Sequence, residues 1–526
     1  MSAFDEESAG AGESKKVVII GAGVSALATA RELVDGGIVK GEDVLLLEAQ
    51  DYIGGRIFQD DGQFIPGVKI DLGAEIVHGA HTVLHKYAEN CGEALKPLFT
   101  WAHGDGGPSE VPVRGGYALY FDGVTDPAAG RVYRYDEQSE DVVAMHETLW
   151  NLGLLEDDEV TPDQCLDDYL GRAEMGAPMR AMVQAGYSNT MCTTSENMSL
   201  QHIVKCTRLW NEDEEGGRGG GGGGGREGSD TGADDDRPEG DYKPRNSFHW
   251  LIDHLKEGLD VRLSTAVVRV ELVDGSKGVA VHTADGGVVR CEAVVVTVPA
   301  PVINAGTIAF VPPLPAPKVA AYASLDFNNA LKIILAFKEC PWPTNVHGMI
   351  MTGCEVPEVW FTDVEGLALD PADGNAKAVC YCTGFATAAF ADALLAKHSI
   401  ENLPNVLLAQ LTRVMGALTP EHMDADIFHP ANHAKRHHLP KVADAYLRGM
   451  VHDWRSQHPS VGGGYAVMRV GSEMSTFGAL AEPVDDRIFF AGEGTALPGL
   501  TAHAAIETGS RVAAQVAVGI GAWPRC

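Results

Sequence analysis

The stretch KKVVIIGAGVSALATARELVD constrains this chain more than any other. Val17 to Ile20 is an apolar β-branched run of strand length, and it passes directly into glycines and then a helical run, Ala26 to Leu33. A second strand pattern, DVLLLEA, spans Asp43 to Ala49. Strand, glycine turn, helix and strand in that order make a βαβ unit, which requires a parallel sheet covered on both faces. GAGVSA, Gly21 to Ala26, has the G-x-G-x-x-G/A spacing at the right place in that unit. Gly21 permits the tight turn, Gly23 lets the backbone approach a pyrophosphate at the helix N-terminus, and Ala26 takes the third position. Glu48 ends the second strand, where a carboxylate grips a ribose hydroxyl. A bound dinucleotide is the expectation.

At 526 residues the chain exceeds what one hydrophobic core supports, so two domains or more are expected. A formal charge of -33 repels nucleic acid and anionic membrane and draws cationic ligands from a distance. The ten cysteines include no CxxC pair, which suits a reducing compartment. The N-terminal MSAFDEESAGAGESKK lacks the apolar core of a signal peptide, and no apolar run approaches the roughly 18 residues of a membrane span. A cytoplasmic protein with no nucleic-acid or membrane partner is expected, its oligomeric state open. Residues 211–242, polyglycine flanked by acidic runs, read as a disordered insertion. DGSKG (274–278) and DGG (285–287) mark hairpin turns. The histidines of FHPANHAKRHH (His429, His433, His437, His438) have no Cys or carboxylate pattern beside them, so no metal is expected.

One residue breaks its surroundings. In LDFNNALKIILAF, Leu331, Ile333, Leu335 and Phe337 would line one strand face, with Lys332, Ile334 and Ala336 on the other. Burying an unpaired ammonium costs several kcal/mol, so Lys332 is either a strand-edge residue with its head in water or a functional one.

The order of further motifs decides between these. GGR (Gly54 to Arg56) follows Glu48 by six residues, and Gly55 and Arg56 offer a backbone donor and a guanidinium for a second approach to a diphosphate. Together with GAGVSA, the segments LEAQDYIGGRI and DLGAEIVHG, then AVVVTVPAPVI, FVPPLPAPK and the closing RIFFAGEGTALPGLTAHAAIETGSRVAA resemble the flavin-containing amine oxidases across nearly the whole chain outside the glycine-rich stretch. Among them the closest pattern is that of polyamine and spermine oxidases. The resemblance implies FAD rather than NAD, bound non-covalently, since Gly464 stands where monoamine oxidases carry a flavin-linking cysteine. It places Lys332 beside the flavin as the catalytic residue, Val267 at the adenine through its backbone, Glu493 at the ribityl–phosphate portion and Trp454 near the flavin. Tyr465 matches one wall of an amine cage, Thr501 stands where monoamine oxidases have the second, and His78 matches the IHG-like histidine of spermine-type enzymes. Glu75, three residues earlier, adds a carboxylate near substrate where the family varies. GEG at 492–494, HAA at 503–505 and PRNSF before the central helix depart from the family pattern.

The expected fold is therefore an α/β, two-domain flavoprotein. A discontinuous Rossmann-like FAD-binding domain takes 15–80, 243–300 and 456–526; a mixed α+β substrate-binding domain takes 81–210 and 301–455. The implied reaction is hydride transfer from a small cationic amine, spermine, spermidine or an acetylated form, with iminium hydrolysis and reduction of O2 to H2O2. The alternatives are a monoamine or amino-acid oxidase, or a catalytically idle FAD protein that binds basic partners. A histone-demethylase-like role has no long helical insertion to support it.

Overall fold

The computed structural model describes residues 13–79, 82–100, 114–115, 117–134, 140–216, 240–273, 278–343, 346–364, 378–419, 439–497 and 499–523. Five strands run parallel in the order Val261–Arg262, Val44–Leu47, Val17–Ile20, Ala293–Val296 and Ile488–Phe490. The last four are buried at every residue, as continuous apolar runs must be when both faces are covered. Helices Val24–Asp35 and Ala502–Gly519 cover one face, with His249–Lys256 beside them. A Cβ on Gly509 would stand 2.7 Å from the Ser25 carbonyl oxygen, so glycine alone allows these two helices to approach so closely. On the other face, Val18, Ile20, Leu45 and Leu47 share a core with Val270, Val281 and Val289 of a second five-stranded sheet. In that sheet the two expected hairpins appear as antiparallel neighbours, Val267–Leu272 with Val279–Thr283 and Val279–Thr283 with Val288–Cys291. Residues 274–277 of the first turn lie outside the described residues.

A seven-stranded mixed sheet forms the second layer system, in the order Arg131–Arg134, Tyr117–Asp122, Val346–Thr352, Glu358–Asp363, Cys380–Thr387, Ala330–Phe337 and Tyr446–Asp453. Ala330–Phe337 lies between two antiparallel neighbours, and all eight of its residues are buried. The expected alternation holds. Leu331, Ile333, Leu335 and Phe337 enter the large core beneath the helices, while Ile334 and Ala336 meet Ile65, Ile70 and Leu72. No helix of the described residues is long and apolar enough to cross a membrane.

Three boundaries fall elsewhere than the sequence suggested. Strand Ala309–Val311 pairs in parallel with Val267–Leu272, so that sheet extends past residue 300. Gly240–Pro244 pairs with both Val77–His78 and Leu95–Thr100, joining segments on either side of residue 80. The glycine-rich stretch is shorter than 211–242 at both ends. Helix Leu200–Gly216 runs on through NEDEE, because Glu tolerates helix well, and Tyr242 is buried in a strand. Residues 217–239 lie outside the described residues, as do the four histidines from His429 to His438.

Candidate active site

The glycine turns come together at the top of the parallel sheet. Gly21 has φ of 107°, and a Cβ on it would stand 2.5 Å from Thr297 Oγ1. Gly23 caps helix Val24–Asp35 without any side-chain cap, leaving the first N–H groups aimed outward. Gly54 N donates to the Ala22 carbonyl at 2.9 Å, and a Cβ on Gly55 would reach 3.2 Å from Gly23 Cα. Two backbone turns therefore face each other with no side chain between them, a cradle that any Cβ would begin to fill. Ala26 is wholly buried inside the helix.

Glu48 lies at the rim of this cradle. Its Oε2 accepts from Ala22 N at 2.7 Å and its Oε1 from Gln50 N at 2.8 Å. Burial nonetheless raises its pKa above the usual carboxylate range. Arg56 Nη1 donates to Glu493 Oε1 at 2.8 Å and to the Gly464 carbonyl at 3.0 Å, and its guanidinium lies 5.3 Å from the Phe327 ring. Val267 is buried and opens the strand that faces the parallel sheet. These residues fit a dinucleotide through backbone N–H groups, a ribose-binding carboxylate and a guanidinium.

Lys332 lies in the other sheet and points at the loop 71–75. Its ammonium donates to the Asp71 carbonyl at 2.9 Å, the Gly73 carbonyl at 2.9 Å and Glu75 Oε2 at 2.5 Å. The strand-edge alternative fails, since only 4% of the side chain is exposed. Trp454 holds the same loop, donating from Nε1 to the Leu72 carbonyl at 2.9 Å. Lys332 also faces the Trp360 ring at 5.6 Å.

Glu75 is placed differently from expectation. Lys332 holds one carboxylate oxygen and Lys243 the other, so it is not a free anion for a substrate amine. Burial would raise its pKa, but the two ammonium groups outweigh that and hold it at about 2. Burial and the Glu75 charge together push the neighbouring Asp71 up to about 7.

Of the other expected substrate residues, Tyr465 donates its hydroxyl to the Thr190 carbonyl. Thr501 caps helix Ala502–Gly519, accepting from Ala504 N at 3.2 Å. His78 is half-exposed and pairs through Nδ1 with Asp241 Oδ1 at 2.8 Å. Partial desolvation disfavours its charge, yet Asp241 more than offsets this and raises its pKa.

Four neighbours went unread in the sequence. Glu358 Oε2 accepts from Asn189 Nδ2 at 3.0 Å and Thr190 Oγ1 at 3.1 Å, within electrostatic reach of Tyr465 and His78. Burial pushes it up to about 7. Its only sequence signal is a carboxylate opening the strand pattern EVWF. Lys243, in DYKPRN, carries no signal at all without the fold. His452 and His458 meet Nε2 to Nε2 at 3.2 Å, and burial lowers both. Elsewhere, Cys340 donates to Asp363 at 3.3 Å, with Cys380 in the same group at the far end of the sheet.

A parallel sheet carrying a two-turn glycine cradle, packed beside a sheet with a buried lysine, is the architecture of a dinucleotide-binding protein. More narrowly, the family model for flavin containing amine oxidoreductases matches residues 24–131 and 231–517, and the chain belongs to that family. Polyamine oxidase 2 of Arabidopsis thaliana is 27% identical over 504 residues, covering 94% of this chain and 86% of the relative. Lysine-specific histone demethylase 1 homolog 2 of Oryza sativa subsp. japonica is 25% identical over 522 residues, covering 95% of this chain. The chain spans 56% of that demethylase's length and 28% of the Arabidopsis thaliana homolog 3. A solved putrescine oxidase bound to putrescine superposes with a TM-score of 0.66 at 18% identity, covering 96% of this chain and 99% of that one. The cofactor is FAD, held non-covalently. Gly464 offers no thiol for a covalent link, and a Cβ there would crowd Cys192 Sγ at 2.9 Å and Ala330 Cβ at 3.1 Å.

Proposed function

We propose that this chain oxidises amines, with a di- or polyamine such as spermine, spermidine or an acetylated form as substrate. FAD, when bound, supplies the acceptor for a hydride from the carbon next to nitrogen, and O2 restores it with release of H2O2. Water then hydrolyses the substrate iminium to an aldehyde and an amine. The observation that carries the reading is Lys332. An ammonium on a wholly buried strand, provided with its own counter-ion and aimed at the loop that Trp454 also grips, is costly to keep and marks a site of chemistry.

The surroundings support the substrate class. Trp360 and Tyr465 offer aromatic surface to an amine, and Glu358, when ionised, attracts a further ammonium of the same molecule. His78, with its charge favoured by Asp241, neutralises part of that field at the exposed side. The amine must shed its proton before hydride can leave, and Glu358, titrating near neutrality, is a suitable acceptor. The similarity to lysine-specific histone demethylases supports a second reading, in which the amine is a methylated lysine side chain.

Anaerobic mixing of the yellow protein with spermine, spermidine, N-acetylspermine, benzylamine and a monomethyl-lysine peptide separates these. Fast bleaching of the flavin by the polyamines is expected, with Lys332→Met slowing it roughly 100-fold. Bleaching by the peptide alone would establish the second reading. No bleaching by any amine would sink both and leave an FAD protein that binds basic partners.

A further inference from the structure

The Lys332 ammonium has three N–H bonds, and all three are taken: two by the carbonyls of Asp71 and Gly73, the third by Glu75. The first two acceptors are backbone atoms of a loop pinned by Trp454 and cannot move away. Glu75 is the one partner that is a side chain. If Lys332 is to turn an N–H toward a reacting amine or water, Glu75 is the acceptor it must release.

For a simple buried ion pair that release is prohibitive, because it strands a carboxylate without a counter-ion. Here it does not, because Glu75 has a second cation. Lys243 reaches it from strand Gly240–Pro244 and is itself fixed by Thr362 Oγ1 at 3.1 Å and Tyr381 Oη at 3.4 Å, with its ammonium 5.5 Å from the Tyr381 ring. Thr362 and Tyr381 are directly opposed on neighbouring strands of the sheet that carries Lys332. Lys243 is therefore anchored to the sheet independently of Lys332. Glu75 is closed to water, at 2% exposure, and Lys243 is largely covered, at 12%, so the carboxylate depends on these two lysines for its counter-charge.

We infer that Lys243 is a positioning residue for the amine oxidation proposed above: by sharing Glu75, it lets Lys332 exchange that carboxylate for a partner on the reaction side. The inference rests on the reading that Lys332 serves the reaction. Lys243 touches no substrate; it acts through Glu75. Without it the whole negative charge of Glu75 falls on Lys332 and locks the ammonium in the position seen here.

Rapid-mixing measurements of flavin reduction on Lys243→Met, Lys243→Arg, Lys332→Met and the Lys243→Met/Lys332→Met double variant test this. Each variant is first checked for bound flavin by absorbance and for melting temperature. Lys243→Met is expected to slow reduction roughly 10- to 100-fold with KM moved less than about threefold, and Lys243→Arg to recover most of the loss. In the Lys332→Met background the same change should matter less than about threefold, because the two lysines act as a unit. The visible spectrum of the bound flavin should also shift between wild type and Lys243→Met in the absence of amine, reporting the redistributed charge. An unchanged reduction rate in a folded, flavin-loaded Lys243→Met would overturn the inference. So would an undiminished loss in the double variant, which marks a general structural role. If Lys243→Met does not fold, Lys243→Gln takes its place as the neutral variant, and a rate equal to wild type has the same force. Should Lys332→Met reduce as fast as wild type, the role of Lys332 itself fails, and this inference with it.

Discussion

Asp71 and Glu75 are four residues apart and both buried, yet their proton equilibria move in opposite directions. Glu75 is bonded directly to two lysines; Asp71 has burial and the Glu75 charge, offset only in part by Phe248 N at 3.0 Å and by the more distant charges of the same lysines. Unfolded, an Asp loses its proton near pH 4; here Asp71 holds it to about 7. Between those values the unfolded chain binds fewer protons than the folded one, so this residue makes stability fall as pH rises. Asp71→Asn keeps an acceptor for Phe248 and removes the titration. Its melting temperature should gain on the wild type from pH 5 to about pH 7 and then level off, and a constant gap across that range would show that Asp71 stays ionised throughout. Lys332 was legible at this scale because a lone charge in an apolar alternation is conspicuous. Lys243 was not, since its meaning depends on Glu75, 168 residues away in the chain. Glu75 was read as facing substrate for the same reason: the sequence shows a carboxylate but not its two partners.

Among the elements, the parallel strands and the cradle were readable from local pattern alone. Val17–Ile20 is an apolar β-branched run passing straight into Gly21, Val44–Leu47 an unbroken apolar run between Asp43 and Glu48, and strand Ala330–Phe337 announced itself by apolar residues on both faces. The ends of elements were less readable. Helix Leu200–Gly216 continues into residues that look like an acidic loop, and Ala309–Val311 joins its sheet by a pairing no neighbouring residue signals. The cradle gives a direct test. Gly55 has φ of 58°, and a Cβ there would stand 3.2 Å from Gly23 Cα, so Gly55→Val meets both backbone strain and a filled cleft. Purified Gly55→Val should retain markedly less flavin, with affinity lower by roughly tenfold or more for a strain of about 1–3 kcal/mol. The ratio of absorbance at the flavin band to that at 280 nm reads it. A ratio equal to wild type would mean that this turn does not line the cofactor.

Taken whole, the molecule carries a formal charge of -33, and the proposed substrates carry several positive charges. Long-range attraction raises encounter rates and is screened by salt. For spermine, kcat/KM should fall by roughly tenfold between low and high ionic strength, while for benzylamine, with a single charge, the fall should be much smaller. Equal salt dependence for both amines would confine the charge to a solubility role.

The parallel sheet is assembled from Val17–Ile20, Val44–Leu47, Val261–Arg262, Ala293–Val296 and Ile488–Phe490, stretches drawn from residue 17 to residue 490 of the chain. During synthesis the glycine cradle emerges long before its sheet can be completed, since that sheet has no partner on one side until residue 293 and no closing strand until residue 488. Helix Ala502–Gly519, which seals that face, comes later still. Cofactor capture accordingly waits for those later segments, and until they are made the apolar strands Val17–Ile20 and Val44–Leu47 must be shielded by something other than their native neighbours.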